Sequence, residues 1–364
     1  MRTAIVGCGY ISDIYLQNAA TWDILDVVAL ADLDPGRAAS QAAKYGIPRA
    51  IAFAEVLADP SIQLVLNLTI PAAHGSLGLA ALRAGKSVYN EKPLAISREE
   101  GRLLLDEAQA RGLRVGCAPD TFLGAGLQTC RKLIDEGAIG QPVAAMATML
   151  TRGPDHWHPD PEFLFKVGAG PLFDMGPYYL TALISLFGPI RRVTGSARIT
   201  FPERTVRSGP KAGATITVEA ATHIACVLDF ASGPIATLVT SFDVWDPYRP
   251  SVEVNGSAGT LGVPDPNTFG GPIRLYCDQD EAGREVALAF GHAENSRCIG
   301  LADMAYAIRT GRPHRANGKL AYHVLDAMHA ILEASATGKH IELASSCDRP
   351  AALSVDLAER ELDA

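Results

Sequence analysis

The sequence predicts an α/β fold in two parts: an N-terminal domain on a parallel sheet, residues 1–120, and a C-terminal α+β domain with a large, mostly antiparallel open sheet, residues 121–364. Three observations carry this. Short apolar runs alternate with helical patterns through the first 120 residues, the texture turns β-rich after Pro119, and a Gly-x-Gly motif stands directly after the first apolar run. A length of 364 residues suits two domains at roughly 150 residues each.

In the first part, strands are expected at Thr3–Val6, Val27–Ala31, Leu64–Leu68, Ser87–Tyr89 and Arg114–Cys117. Most are Val, Ile and Leu runs without polar alternation, the pattern of strands buried on both faces. Helices are expected between them at Tyr10–Asn18, Pro35–Tyr45, Ala73–Ala84 and Ser97–Arg111, the last opening with Ser97 and Glu100 at capping-box spacing. Strict alternation implies right-handed βαβ units and hence a parallel sheet. In the second part a helix at Phe122–Asp135 precedes strand candidates at Val143–Thr151, Val193–Phe201, Thr215–Phe230, Ile235–Phe242, Ser251–Val254, Ile273–Cys277 and Glu285–Ala289. One helix near Phe173–Leu186 interrupts them, two more come after them at Ile299–Arg309 and Leu320–Ala336, and the acid-rich tail from Asp348 reads as peripheral.

Composition narrows the function classes. The formal net charge is −8, a poor basis for nucleic-acid binding, which rests on clustered Lys and Arg. Seven cysteines are scattered and never spaced as CxxC, so neither a disulfide framework nor a zinc site is indicated. Reduced thiols point to the cytoplasm. No stretch reaches the roughly 18 apolar residues of a membrane span, and no membrane partner is expected.

Gly7-Cys8-Gly9-Tyr10-Ile11-Ser12 follows the first strand and opens the first helix. This is the GxGxxG fingerprint of a Rossmann domain with Ser in third place: Gly7 for the tight turn, Gly9 for close approach of backbone N–H groups to a pyrophosphate. The second apolar strand ends in Asp32, 25 residues after Gly7. A carboxylate there accepts hydrogen bonds from the adenosine ribose and repels a 2′-phosphate. NAD is therefore favoured over NADP, with Arg37 one helical turn on as the feature that favours NADP.

Lys92 lies in Gly85-Lys86-Ser87-Val88-Tyr89-Asn90-Glu91-Lys92-Pro93-Leu94, just past a strand end. Ligands in such sheets sit beyond the carboxyl ends of the strands. A Lys in a partly desolvated cleft beside a positively charged nicotinamide is expected to have a depressed pKa. Together Gly7-x-Gly9, Asp32 and the Glu-Lys-Pro string resemble the glucose–fructose oxidoreductase / inositol dehydrogenase (Gfo/Idh/MocA) family over nearly the whole chain. The resemblance implies hydride transfer between a nicotinamide cofactor and a secondary alcohol or hemiacetal of a sugar or polyol, with Lys92 binding substrate and taking part in catalysis. The family's Asp-x-Gly-x-His-x-x-Asp motif is matched by Asp174-Met175-Gly176-Pro177-Tyr178, with Tyr178 at the His position and Thr181 at the last Asp. Glucose–fructose oxidoreductase and the dihydrodiol dehydrogenases are similar in carrying Tyr there as proton donor or acceptor, whereas the His–Asp pair of inositol dehydrogenases is lost. Lowering a phenol's pKa by two units takes roughly 2.7 kcal/mol of differential interaction. Lys92 is the alternative base, with Tyr178 orienting the hydroxyl.

Further residues are expected near the cleft. The resemblance implies that Thr69, Ile70 and Pro71, with His74 and Glu91, belong to the cofactor site, with a helix-end structural role as the alternative for His74. Asp120 and Thr121 are candidates for substrate hydroxyls, against helix capping by Asp120. His156, Trp157 and His158 read as a pocket-lining loop able to stack on and hydrogen-bond a sugar; no metal is expected. The composite reading is a cytoplasmic NAD-dependent dehydrogenase of a small sugar or polyol, a homo-oligomer (dimer or tetramer), with substrate between the domains and catalysis by Lys92, Tyr178 and Asp174. The rival is a non-catalytic NAD- or sugar-binding sensor of the same fold, against which Lys92 and Asp174 together argue.

Overall fold

The structure, a computed structural model, describes residues 1–245, 251–277, 280–355, 357 and 361–363. It separates into two compact units, Met1–Gly124 with Phe290–Leu325 and Pro350–Ala364, and Ala125–Ala289 with Asp326–Arg349. The first unit thus takes in more than residues 1–120: two later segments of chain join it.

In the first unit β1 (Arg2–Val6), β2 (Asp26–Ala31), β3 (Leu64–Asn67), β4 (Ser87–Asn90) and β5 (Val115–Cys117) form a parallel sheet in the order β2-β1-β3-β4-β5. Helices α1 (Ser12–Ala19), α2 (Pro35–Tyr45), α3 (Phe53–Ala58), α4 (Pro71–Arg83) and α5 (Arg98–Arg111) connect the strands. The apolar runs are buried as expected: Ala4, Val6, Val28, Ala29, Val65 and Val88 lie in one core with Leu82 and Leu104. The strand order reverses at β1, which puts the switch point between β1 and β3. Helix α3 was not foreseen; it is one short turn in which the Glu55 side chain accepts the Ala52 N–H at 2.9 Å. Helix α4 starts two residues earlier than expected because Pro71 needs no N–H partner in a first turn. The capping box at α5 is half right: Ser97 accepts the Glu100 N–H, but Glu100 returns to the Ile96 N–H.

The second unit holds α6 (Ala125–Asp135), β6 (Pro142–Leu150), α7 (Gly170–Asp174), α8 (Gly176–Phe187), β7 (Ile190–Arg198), β8 (Glu203–Thr205), β9 (Thr215–Thr217), β10 (His223–Phe230), β11 (Ile235–Ser241), β12 (Val252–Gly256), β13 (Gly259–Val263), β14 (Ile273–Cys277) and β15 (Asp280–Val286). Beyond α9 (Ile299–Thr310) and α10 (Gly318–Thr337), β16 (Ile341–Glu342) completes a nine-stranded sheet, β15-β14-β13-β12-β6-β11-β10-β7-β16. Every pairing in it is antiparallel except β11 with β6. The single strand expected over Thr215–Phe230 is two: β9 pairs with β8 in a separate ribbon, and only β10 enters the large sheet. The expected helix at Phe173–Leu186 is also two, broken at Met175. Pro177 has no N–H to give Phe173, and as the second residue of α8 it needs no N–H partner, so a new helix starts here.

The tail is not peripheral. Leu353 and Leu362 are buried, and Arg315 donates to the Asp363 carboxylate at 2.7 Å while its other guanidinium nitrogen reaches the fully buried Asp303 at 2.6 Å. Helix α9 is fixed at its other end by Asp120, whose carboxylate accepts the N–H groups of Cys298 and Gly300, both at 3.0 Å. Cys298 sits at φ 95°, outside the usual range of a non-glycine residue, and this cap holds it there. Capping is therefore the role seen for Asp120, though of a helix almost 180 positions away rather than of the one next to it in the chain.

Burial pushes the Asp120 carboxyl up to about 6 from 3.8, against the pull of the Gly300 and Cys298 N–H groups toward the ionised form. The folded chain then holds a proton here that the unfolded chain releases near pH 4. Stability from this group is full below about pH 4 and falls, by about 3 kcal/mol in all, as pH rises through about 6. Asp120→Asn should flatten that part of the stability–pH curve, measured by urea unfolding between pH 4 and 7; an unchanged slope would assign the titration elsewhere.

Candidate active site

The loop between β1 and α1 is shaped by glycine at two positions for opposite reasons. Gly7 has φ 95°, and a Cβ on it would stand 2.7 Å from the Leu68 carbonyl carbon and oxygen. No side chain fits between the ends of β1 and β3. At Gly9 a Cβ would meet nothing within 4 Å, so the space above that backbone is open to a ligand. Ser12 takes the place of the third glycine and turns its hydroxyl back onto the Gly9 carbonyl at 2.6 Å, fully buried. Asp32 at the end of β2 accepts the Cys8 N–H at 2.7 Å and the Asp34 N–H at 2.8 Å, and Arg37 stands 3.8 Å from it. The carboxylate is thus fixed in direction, while Tyr10 beside the loop is almost wholly exposed. These features fit a dinucleotide: open backbone N–H groups for a pyrophosphate and an oriented acceptor for a ribose.

A second set of groups gathers at the ends of β3 and β4. Asn67 and Asn90 face each other in register and share a hydrogen bond at 3.1 Å. Asn67 also accepts the Thr69 hydroxyl at 2.7 Å, and Asn90 donates to the Leu94 carbonyl at 3.0 Å. His74 lies buried between them, its Nδ1 2.6 Å from the Pro93 carbonyl and its Nε2 2.9 Å from the Thr69 carbonyl. Burial lowers its pKa against the pull of those two carbonyls. A neutral ring donates to only one of them at a time. His74 therefore braces the segments carrying Thr69–Pro71 and Lys92–Pro93, the structural alternative weighed for it. Glu91 is buried and holds two donors, the Tyr15 hydroxyl at 2.7 Å and the Lys92 N–H at 2.8 Å. It tethers the Lys92 backbone to α1, the helix that opens at the glycine loop. Lys92 itself is only part-buried.

In the first unit the sheet edge thus brings together Gly7, Gly9, Tyr10, Ile11, Asp32 and Arg37 on one side of the switch point and Thr69, Ile70, Pro71, His74, Glu91 and Lys92 on the other. Thr121, like Asp120, is buried. Tyr15, Asn67 and Asn90 were missed by sequence reasoning. The two asparagines were visible in principle, as polar residues closing apolar strands at equal depth.

In the second unit Asp174 closes α7 and Tyr178 lies in the first turn of α8, its N–H bonded to the Met175 carbonyl at 3.0 Å. The hydrophobic environment of Tyr178 is dense, for all of α8 is buried. The His156-Trp157-His158 stretch comes after β6 and is anchored from below. Asp155 receives Arg204 at 2.8 Å, and the same guanidinium reaches Asp243 at 2.7 Å; all three side chains are buried. Arg204 also donates to the Arg152 and Phe242 carbonyls, and Thr222 donates to Asp243 at 2.6 Å. Burial also lowers the His156 pKa, which favours the neutral ring. Arg204, Asp243 and Trp245 were missed, because nothing local in the sequence pairs them with a loop some 50 or 90 positions earlier. Among the described residues no group of three or more His, Cys, Asp or Glu could hold a metal ion.

Residues 1–118 match the family description "Oxidoreductase family, NAD-binding Rossmann fold", and residues 127–262 match "GFO/IDH/MocA C-terminal domain". Inositol 2-dehydrogenase 3 of Saccharopolyspora erythraea is 31% identical over 147 residues, 40% of this chain and 44% of that enzyme. The chain thus spans less than half the length of that relative. The uncharacterized oxidoreductase ORF334 of Rhizobium meliloti is 28% identical over 328 residues, 86% of this chain and 90% of its own. Levoglucosan dehydrogenase, solved with NADH and levoglucosan, superposes with a TM-score of 0.80 at 21% identity, covering 94% of this chain and 99% of that one. The glycine loop, the oriented Asp32 and the Glu91-Lys92-Pro93 segment thus stand on an NAD-binding Rossmann domain, and the chain belongs to the GFO/IDH/MocA family of oxidoreductases.

Proposed function

We propose that the protein is an NAD-dependent dehydrogenase acting on a secondary alcohol or hemiacetal carbon of a sugar or polyol. The observation that carries this is Lys92, part-buried at the end of β4 and held on the same sheet edge as the glycine loop by Glu91, Tyr15 and His74. A group so braced from three elements suits chemistry that needs fixed geometry. Names among the relatives agree: an inositol 2-dehydrogenase in sequence and a levoglucosan dehydrogenase in fold.

Gly9 leaves its backbone N–H groups free for the pyrophosphate, and Asp32 accepts the ribose hydroxyls. Bound NAD supplies the hydride acceptor. Tyr178 takes the proton of the substrate hydroxyl, Lys92 supplies the cation that favours its phenolate, and Asp174 hydrogen-bonds the substrate to fix the carbinol. His156, Trp157 and His158 contact the sugar. The finer assignments rest on the same reading. Seven cysteines without a disulfide among them support a reducing, cytoplasmic setting. Met146 and Ile235 are exposed on the same face of adjacent strands β6 and β11, which supports a homo-oligomer, dimer or tetramer, formed through that sheet face.

Lys92→Ala should keep NAD affinity, measured by calorimetry, and lose at least about a hundredfold in turnover, measured as NADH absorbance over a panel of sugars and polyols; Tyr178→Phe should behave alike. Unchanged turnover in Lys92→Ala removes Lys92 from the mechanism. Asp32→Ser removes the charge that repels a 2′-phosphate and one of the two carboxylates beside Arg37, leaving Asp34. The ratio of kcat/KM for NAD over NADP should then fall by at least about tenfold; an unaltered ratio would show that Asp32 does not select the cofactor.

A further inference from the structure

The second unit exposes two indoles, Trp157 at 66% and Trp245 at 74%, while the chain's third tryptophan, Trp22, is buried. Such exposure of the largest apolar side chain needs a reason when it is grouped, and the surroundings of Trp245 are not apolar. The Arg152 guanidinium carbon lies 4.8 Å from the Trp245 ring centre, and His156 meets that ring edge-on at 5.9 Å. One face of the indole thus carries a guanidinium and an imidazole stands edge-on to it, while most of the ring remains exposed. Aromatic faces rimmed by hydrogen-bonding groups suit a pyranose, which offers a face of C–H bonds to the ring and equatorial hydroxyls to its border.

The platform is built to stay in place. Arg152 and Trp245 lie just past the C-terminal ends of β6 and β11, which are parallel neighbours with Leu150 opposite Ser241. Beneath them runs the buried Asp155–Arg204–Asp243 network, which fixes the loop bearing His156 and the turn leading to Trp245. A buried ion network adds little net stability over apolar packing; what it contributes here is a fixed direction for two loop segments. Within the second unit the platform also neighbours the element that carries Asp174. Ser241 is opposite His223 at the start of β10, and Gly170, the first residue of α7, packs on Ala220 and Ala221 just before it. Helix α7 ends at Asp174.

We propose that the exposed face of Trp245, with Arg152 over its other face and His156 edge-on beside it, is a stacking site for a pyranose ring of the substrate, which makes the protein selective for pyranosides over acyclic polyols. This rests on the dehydrogenase reading for its setting, but the site is testable by binding alone. In the wild type the indoles open to ligand and quencher are Trp157 and Trp245, and the Trp245 emission is the part lost in Trp245→Phe. Titration with the methyl pyranosides of glucose, galactose, mannose and xylose should shift Trp245 emission to the blue and protect it from acrylamide for at least one of them, with no response to sorbitol, mannitol or xylitol. Trp245→Ala should abolish the response and weaken binding of that pyranoside, by calorimetry, at least about tenfold, and Trp245→Phe should retain most of that binding. The substitution is at an exposed position, and an unchanged unfolding midpoint will show that the fold is intact. Absence of a response to every pyranoside, or an equal response to the acyclic polyols, overturns the proposal. So does a Trp245→Ala variant that binds sugar normally but sediments as a smaller species, for the patch is then a contact between copies. Pyranoside binding at Trp245 without NADH formation in the wild type leaves the platform standing and overturns the dehydrogenase reading; NADH formation without any Trp245 response does the reverse.

Discussion

The nucleotide-binding edge of the first unit depends on one close approach. The backbone at Gly7 passes the carbonyl of Leu68 at a distance where no Cβ can stand, in a conformation that L side chains rarely adopt. That contact brings the end of β1 and the end of β3 together and sets the arrangement of the groups flanking it. On one side the Cys8 N–H meets Asp32, so this carboxylate is oriented by the same turn that leaves the backbone open at Gly9. On the other, Leu68 and Thr69 lead into the asparagine and histidine network that supports Lys92. A side chain at position 7 would act on all of it at once, because the strain has no flexible neighbour to absorb it.

The two units solve the same problem of rigidity with different chemistry. Behind Lys92 the brace is built from neutral or singly charged groups: two carboxamides, an imidazole, a phenol and one carboxylate, each with a partner within about hydrogen-bond distance. Behind the His156 loop it is a guanidinium between two carboxylates, all buried. Behind Lys92 the single carboxylate is held by a phenol and a backbone N–H, so the brace adds no buried cation beside the lysine. Behind the His156 loop the charged clamp costs desolvation and holds two loop segments in one direction.

Most of the first unit was legible because its determinants are local. Strand, turn and helix succeed one another within a few residues, and Gly7, Gly9, Asp32 and Lys92 each stand at a predictable end of an element. Where local signals compete the reading failed in specific ways. Helix α3 is too short for a periodic pattern, Pro177 breaks a helix whose apolar residues continue through it, and Thr215–Phe230 keeps its alternation across two different sheets. The helix that Asp120 caps was not legible because its partners, Cys298 and Gly300, are remote in sequence, as are Arg204 and Asp243 from the loop they hold. Position at an element's end is written in neighbouring residues; the partner of a buried charge is not.

The break at Met175 bears on the chemistry beyond its effect on the helix count. In one continuous helix Asp174 and Tyr178 would stand four residues apart on one face, with Tyr178 in mid-helix. The observed junction instead puts Asp174 at the last position of one helix and Tyr178 at the third position of the next. Pro177 makes the difference: it has no N–H to give Phe173, so the first helix ends before Tyr178 is reached. On the proposed mechanism Asp174 holds the substrate hydroxyl and Tyr178 takes its proton, and the junction lets the two residues be carried by different helices instead of by one shared face.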